Sequence, residues 1–174
     1  GQTSDIGRSQ SVTGHDAGST GQSLSICQTG RLRVDSCRSM SEEVFASLSG
    51  QQQSDLRIFA QRLAQQNRSL NLVAPSTVSD LWQRHIIDSL QIVPPIRAVV
   101  SEMSQASVID IGTGGGLPAV PLAITFAHSE NIIMQAIDSD RKKIASIRIM
   151  TLGLEAPLVL HDTRVEHHKD QHDV

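Results

Sequence analysis

The stretch VIDIGTGGGLPAVPLAI, residues 108 to 124, constrains this chain more than any other. A β-branched apolar run breaks at five glycine-rich positions and resumes beyond a proline with apolar residues at helical spacing. That order reads as strand, tight corner, helix. The segments beyond it keep the alternation. NIIMQAI reads as a second strand, RKKIASIRIMTLG as an amphipathic helix closed by Gly153, and APLVLHD as a third strand. Strand, helix, strand, helix, strand is the mark of a parallel, doubly wound α/β sheet.

In such sheets ligands bind outside the carboxyl ends of the strands, where this corner lies. A glycine run alone also fits a plain βα turn with no ligand, and both readings stand on the motif by itself. Bare backbone at Gly112, Gly114 and Gly116 lets a ligand approach where a Cβ would clash. The spacing separates the ligand classes. A dinucleotide site wants G-x-G-x-x-G, and here Leu117 holds the third glycine's place. No Lys-Ser or Lys-Thr follows, which excludes a phosphate-cradling P-loop. S-adenosylmethionine, with no pyrophosphate, fits the G-x-G-x-G corner. Asp138, ending the second strand, suits the hydroxyls of an adenosine ribose. Its other reading is a cap of the following helix, a task open to Ser139 or Asp140 as well.

Upstream, helical periodicity governs. Val44, Phe45 and Leu48 form one short stripe, and Met40-Ser41-Glu42-Glu43 reads as a helix entry. Leu56, Phe59, Ala60 and Leu63 form a second stripe, with Ser54 as its expected cap. NLVAPSTVSD reads as a connector in which Ser79 caps a further helix, LWQRHIIDSLQIV, that Pro94-Pro95 ends. The division expected is therefore a helical subdomain over 40–105 and the first half of a ligand-binding α/β domain over 106–174.

Residues 1–39 contain 22 Gly, Ser, Thr or Gln and no apolar period, so they are expected to be a disordered extension, with Met40 as a natural start. Cys27 and Cys37 both fall there. A disulfide between them would staple no core, so they read as free thiols of a cytosolic protein. No window approaches the roughly 18 apolar residues of a membrane span, and the N-terminus lacks a secretory apolar run. A net charge of −3 gives no general electrostatic case for nucleic acid, so any basic footprint is local. Arg141, Lys142, Lys143 and Arg148 form such a cluster, readable as an RNA contact or as a solvated face. His161, His167 and His168 lack a completing ligand framework, so no metal is expected.

HIIDSL, VIDIGTGGGLPAVPLAI, DSDRKK and TRVE, with NLVAPST and WQRHIIDS, occur in this order. Together they resemble the bacterial 16S ribosomal RNA guanine-N7 methyltransferases, the RsmG or glucose-inhibited division protein B family, over about residues 40 to 174. The resemblance implies a class I, Rossmann-like, S-adenosylmethionine-dependent methyltransferase fold with an N-terminal helical subdomain. It implies Gly112 and Leu117 against the cofactor, and Val165 and Glu166 beside the adenine; without it, Glu166 reads as a solvated charge. It further implies 16S ribosomal RNA or the small ribosomal subunit as partner, a cytoplasmic enzyme, and a monomer at full length.

Arg84, His85 and Asp88 match the family's helical motif, with Arg84 and Asp88 spaced to pair on one face; there they are expected to fix the helical part against the crevice. Gln66 stands where the family carries tryptophan, which argues against an aromatic stacking contact there. No residue is expected to act as catalytic acid, base or nucleophile, because guanine N7 offers a lone pair and no proton. Three strands out of about seven make the sheet incomplete, as in a truncated or frame-shifted chain. Such a chain is expected to bind the cofactor weakly or not at all and not to turn over. The competing class is a non-catalytic α/β domain that binds a nucleoside or keeps the corner as a structural turn.

Overall fold

The computed structural model describes residues 34–168, with side chains from Ser39 onward. Most of the low-complexity stretch, Cys27 and the thiol of Cys37 lie outside the described residues.

The first helix, α1, runs Val34–Ser47. Ser41 was expected to open it. Instead Ser41 sits buried in its middle, where the neighbouring amides are already bonded within the helix and leave nothing to cap. The second helix, α2, spans Gly50–Leu70, and its cap is Ser49 rather than Ser54. Ser49 Oγ accepts from the Gln52 N–H at 3.2 Å, while the Ser49 N–H donates to Gln52 Oε1 at 3.0 Å. This reciprocal box satisfies two amides that the helix itself cannot, which a cap at Ser54 would have left open. Asn71, at φ +46, ends the helix.

The segment after it departs from the expected connector and single helix. Pro75–Asp80 is 3₁₀, Trp82–Ile87 is a π-helical turn, and Leu90–Ile92 is again 3₁₀. No side chain caps the π turn, so Ser79 has no capping role. Helix α3 then runs Val93–Val100, with Pro94 and Pro95 in its first turn. The two prolines begin a helix instead of ending one, because first-turn amides have no intrahelical acceptor to lose.

The α/β part matches its pattern closely. Strand β1 is Ala106–Ile111, α4 is Ala119–Thr125, β2 is Ile132–Ile137, α5 is Arg141–Met150 and β3 is Leu158–His161. The strands are parallel in the order β1-β2-β3, with Val108 opposite Met134 and Met134 opposite Leu158. A short 3₁₀ turn, Val165–His167, follows.

One apolar core joins the helical and sheet parts. Leu56, Phe59 and Leu63 of α2 are fully buried with Ile124 of α4 and Ile147 and Met150 of α5. Polar contacts fix the seam. Gln52 Nε2 donates to the carbonyls of Ile124 and Thr125, both at 3.0 Å, and Arg62 Nη1 to those of Met150 and Leu152 at 2.8 and 2.7 Å. Carbonyls at helix C-termini lack intrahelical partners and carry partial negative charge, so α2 satisfies the ends of both α4 and α5. Asp55 adds a third tie, its Oδ2 accepting the Glu155 N–H at 2.9 Å. At the far side Phe45 packs edge-on against Trp82, with the Arg57 guanidinium over both rings.

Candidate functional site

The glycine corner forms where β1 gives way to α4, and its three alternate glycines have different tasks. Gly112, Gly114 and Gly116 all take positive φ, at +79°, +56° and +85°. A Cβ on Gly112 would meet nothing within 4 Å, so this position faces open space. A Cβ on Gly116 would come within 2.8 Å of Val120 Cγ2 and 3.4 Å of Ile147 Cγ1. Gly116 therefore serves the packing of the corner against α4 and α5. Gly114 contributes its amide, which donates to Asp138 Oδ2 at 2.9 Å. The Gly112 and Thr113 amides both donate to the Ile137 carbonyl, at 2.8 and 3.0 Å, which ties the corner to the end of β2.

Asp138 is buried at 8% exposure, and its second oxygen accepts the Asp140 N–H at 2.8 Å. The capping of α5 falls to Asp140, whose side chain accepts the Lys142 N–H at 2.9 Å. A carboxylate has about four lone-pair sites. Two are used here, so Asp138 keeps acceptor capacity towards the cavity it borders.

That cavity, of about 220 Å³, is lined by Gly112, Asp138, Val165 and Glu166 together with Ile111 and Ile137. It lies at the carboxyl ends of β1 and β2. Four of the seven cofactor positions expected from the sequence thus meet at one hollow, though they come from three separate segments. Gly114 and Gly116 do not line it. Leu117 lines a different cavity of about 230 Å³ on the other side of the corner, with Arg84, His85, Asp88 and Pro118.

In this second cavity Arg84 does not pair with Asp88. Its Nε lies 3.8 Å from Asp80 Oδ2 instead. The acid-before-base order of Asp80 and Arg84 is the better one at this spacing, since it agrees with the helix dipole. His85 Nε2 is 2.8 Å from Thr77 Oγ1. Burial lowers the His85 pKa below its usual range, Arg84 adds to the lowering, and Asp88 and Asp80 act against it. The Asp88 amide donates to the carbonyls of Gln83 and His85, and no hydrogen bond or ion pair holds its carboxylate among the described residues.

Sequence reasoning passed over Asp110, on β1 just before the corner. Burial raises its carboxyl above the ordinary range, and the charge of Asp138 adds to this. The Ala119 amide and the Thr113 hydroxyl oppose the rise, although the hydroxyl falls short of hydrogen-bond geometry, and Asp110 Oδ2 is buried without a partner. An Asp inside an apolar strand was the available signal. Gln52 was signalled by the S-x-x-Q spacing from Ser49; nothing local marked Arg62.

The basic cluster divides. Arg141 lies 3.5 Å from Asp162 and Arg148 donates to the Leu160 carbonyl at 3.3 Å, so both reach towards the end of β3. His161 bonds Gln135 at 2.7 Å and packs edge-on against His168. Among the described residues no group of three His, Cys, Asp or Glu could hold a metal ion, and no helix is long and apolar enough to cross a membrane.

The model of the family described as rRNA small subunit methyltransferase G matches residues 52–174. Proteins of that name are similar to this chain in Rhizobium rhizogenes, with 36% identity over 119 residues, and in Bartonella henselae, with 32% over 124. These alignments cover 68% and 71% of this chain and 55% of each relative. The Trichormus variabilis protein is 37% identical over 131 residues, 71% of this chain and 52% of its own length. The chain spans about half the length of the curated relatives it matches.

Proposed function

Because the chain belongs to the rRNA small subunit methyltransferase G family, we propose that it carries the methyl-donor half of an enzyme that methylates small-subunit ribosomal RNA, with S-adenosylmethionine as donor. The observation that carries this is the meeting of Gly112, Asp138, Val165 and Glu166 around one hollow at the carboxyl ends of parallel strands. The residues present fit the adenosine end of such a donor. Gly112 offers backbone with no side chain in the way, and Asp138 offers spare acceptor sites for ribose hydroxyls. Val165 and Glu166 form the adjoining wall, suited to a base. At about 220 Å³ the hollow is smaller than the roughly 300–1,000 Å³ of typical small-molecule sites, so it takes one end of the donor.

The resemblance carries the acceptor atom to N7 of a guanine in 16S ribosomal RNA. The donor, when bound, supplies an electrophilic methyl group on sulfur. The protein's part is then to bind and align. N7 has a lone pair and no proton, so alignment at roughly 3 Å and exclusion of water suffice without a base. The described lining of the donor hollow comes entirely from the α/β part, between Ile111 and Glu166. The enzyme acts as a cytoplasmic monomer at full length.

The test is to map N7-methylguanine in 16S RNA from cells lacking the gene and then regaining it. The modification is expected to vanish, to return with the intact gene, and to stay absent with Asp138→Ala. Methylation that persists without the gene would exclude the enzyme and favour a nucleoside-binding domain without transfer.

A further inference from the structure

The donor hollow takes the adenosine end of the donor, and the other end needs a place. At about 220 Å³ the hollow falls below the usual range for a small-molecule site, and so does the second cavity at about 230 Å³, while the two together fall within it. Leu117, which the resemblance places against the donor, lines that second cavity. Its N–H donates to the Thr113 carbonyl at 3.1 Å, so a single closed turn separates Gly112 at the first cavity from Leu117 at the second.

The second cavity has a definite charge pattern. Arg84 and Asp88 stand one turn apart on the segment that includes the π-helical turn, at a spacing where opposite charges ordinarily pair. They do not pair. Arg84 meets Asp80 through Nε at 3.8 Å, which leaves its terminal N–H groups available, and the Asp88 carboxylate has no bond among the described residues. Burial keeps the His85 pKa below its usual range, so at neutral pH His85 adds no third charge. Leu117, Pro118 and Ile92 supply apolar walls.

A lone anion would satisfy Arg84 and face Asp88 as a like charge, and a lone cation would do the reverse. The ligand that suits both carries one charge of each sign close together, as an α-amino acid does on a single carbon. Its carboxylate matches the forked guanidinium, and its ammonium offers three donors to a carboxylate. S-adenosylmethionine carries such a group at the end opposite its adenosine, joined through methylenes and sulfur that suit apolar walls.

We infer that this second cavity binds the amino-acid end of the donor, Arg84 holding the α-carboxylate and Asp88 the α-ammonium. The inference rests on the donor assignment above and adds to it the pair by which the site tells the whole donor from a bare nucleoside. Arg84 and Asp88 come from the helical part and the hollow from the α/β part, so the donor is held by both.

The test titrates the ¹⁵N-labelled chain with four ligands that share one adenosine end. These are S-adenosylhomocysteine, its decarboxylated analogue, its deaminated analogue, and 5′-methylthioadenosine, which lacks both charged groups. S-adenosylhomocysteine should shift the amide signals of Gly112 and Asp138 together with those of Arg84 and Asp88, and 5′-methylthioadenosine should shift the first two alone. Asp88→Asn should weaken the two ligands that carry the ammonium by about fivefold or more and leave the other two unchanged. Arg84→Gln should likewise weaken the two that carry the carboxylate and spare the rest. A loss spread evenly over all four ligands, or no loss in any, would overturn the inference, the first by showing a purely structural role. Shifts at Gly112 and Asp138 with none at Arg84 and Asp88 would sink this inference and leave the donor assignment standing. If no ligand moves Gly112 and Asp138, the donor assignment falls and the inference falls with it.

Discussion

The two faces of the sheet carry similar residues and meet different fates. On one face Ala106, Met134 and Ala136 are buried at 5%, 3% and 0% exposure, under α4, α5 and, behind them, α2. On the other, Ile109, Ile111, Ile133 and Val159 stand 36–59% exposed, and only Ile137, at the end of β2, is buried among the described apolar residues of that face. That second face also holds a polar chain, Gln135 Nε2 donating to Ser107 Oγ at 2.6 Å and Gln135 Oε1 meeting His161 Nε2 at 2.7 Å. Parallel strands are apolar on both faces because both are normally covered. The composition of a strand therefore announces a demand for burial on each side, and the location of the covering elements settles which side is met.

The sharpest way to break this comparison is to truncate one side chain on each face. Met134→Ala is expected to cost about 2–4 kcal/mol in urea unfolding, and Ile111→Ala under about 1 kcal/mol. Equal losses would mean that the second face is covered in solution. The covered face depends in turn on the polar seam behind it. Gln52→Ala removes the donor shared by two buried C-terminal carbonyls of α4 and should cost about 1–3 kcal/mol, whereas Ser54→Ala on the exposed side of α2 should change stability by less than about 0.5 kcal/mol. A neutral Gln52→Ala would show that water replaces the seam.

The smallest effect concerns pH. Asp110 has a raised pKa, so the folded state holds its proton more tightly than the unfolded chain does. Its contribution is then favourable below the unfolded carboxylate pKa and declines as pH rises through the folded one. Asp110→Asn should raise the melting temperature at neutral pH, with the difference from the parent chain shrinking as the buffer falls below the ordinary carboxylate range. A gap that stays constant with pH would mean that Asp110 is solvated in both states.

The α/β half was legible because its signals are local. β-branched runs, a glycine corner and an amphipathic RKKIASIRIM segment each need only their neighbours to be read, and all appear within a few residues of the expected bounds. The stretch from Pro75 to Val100 was misread for the opposite reason. Pro94 and Pro95 are compatible with either end of a helix, and the choice was made by the packing of Leu90 and Val93 into the core. Ser49 was readable in principle, because Ser-Gly-Gln-Gln carries the capping-box spacing.

At the site, Asp138 and Gly112 could be named from position alone, at the ends of consecutive parallel strands. Their meeting with Val165 and Glu166 came from the family resemblance, since no local pattern relates residue 112 to residue 166. The different tasks of Gly112 and Gly116 were hidden altogether. They share a residue type and a positive φ, and they differ in whether a Cβ would meet open space or Val120.

The chain's own order of residues determined the strands, their parallel sense, the corner and the carboxylate beside it, because hydrophobic period and turn chemistry act over a few residues. Tertiary structure alone decided that α2 closes the ends of α4 and α5, that one sheet face is covered, and that Arg84, Asp88 and Leu117 border a common cavity. These are contacts between segments far apart in sequence, and they are fixed by how whole surfaces fit together, which no short window of residues encodes.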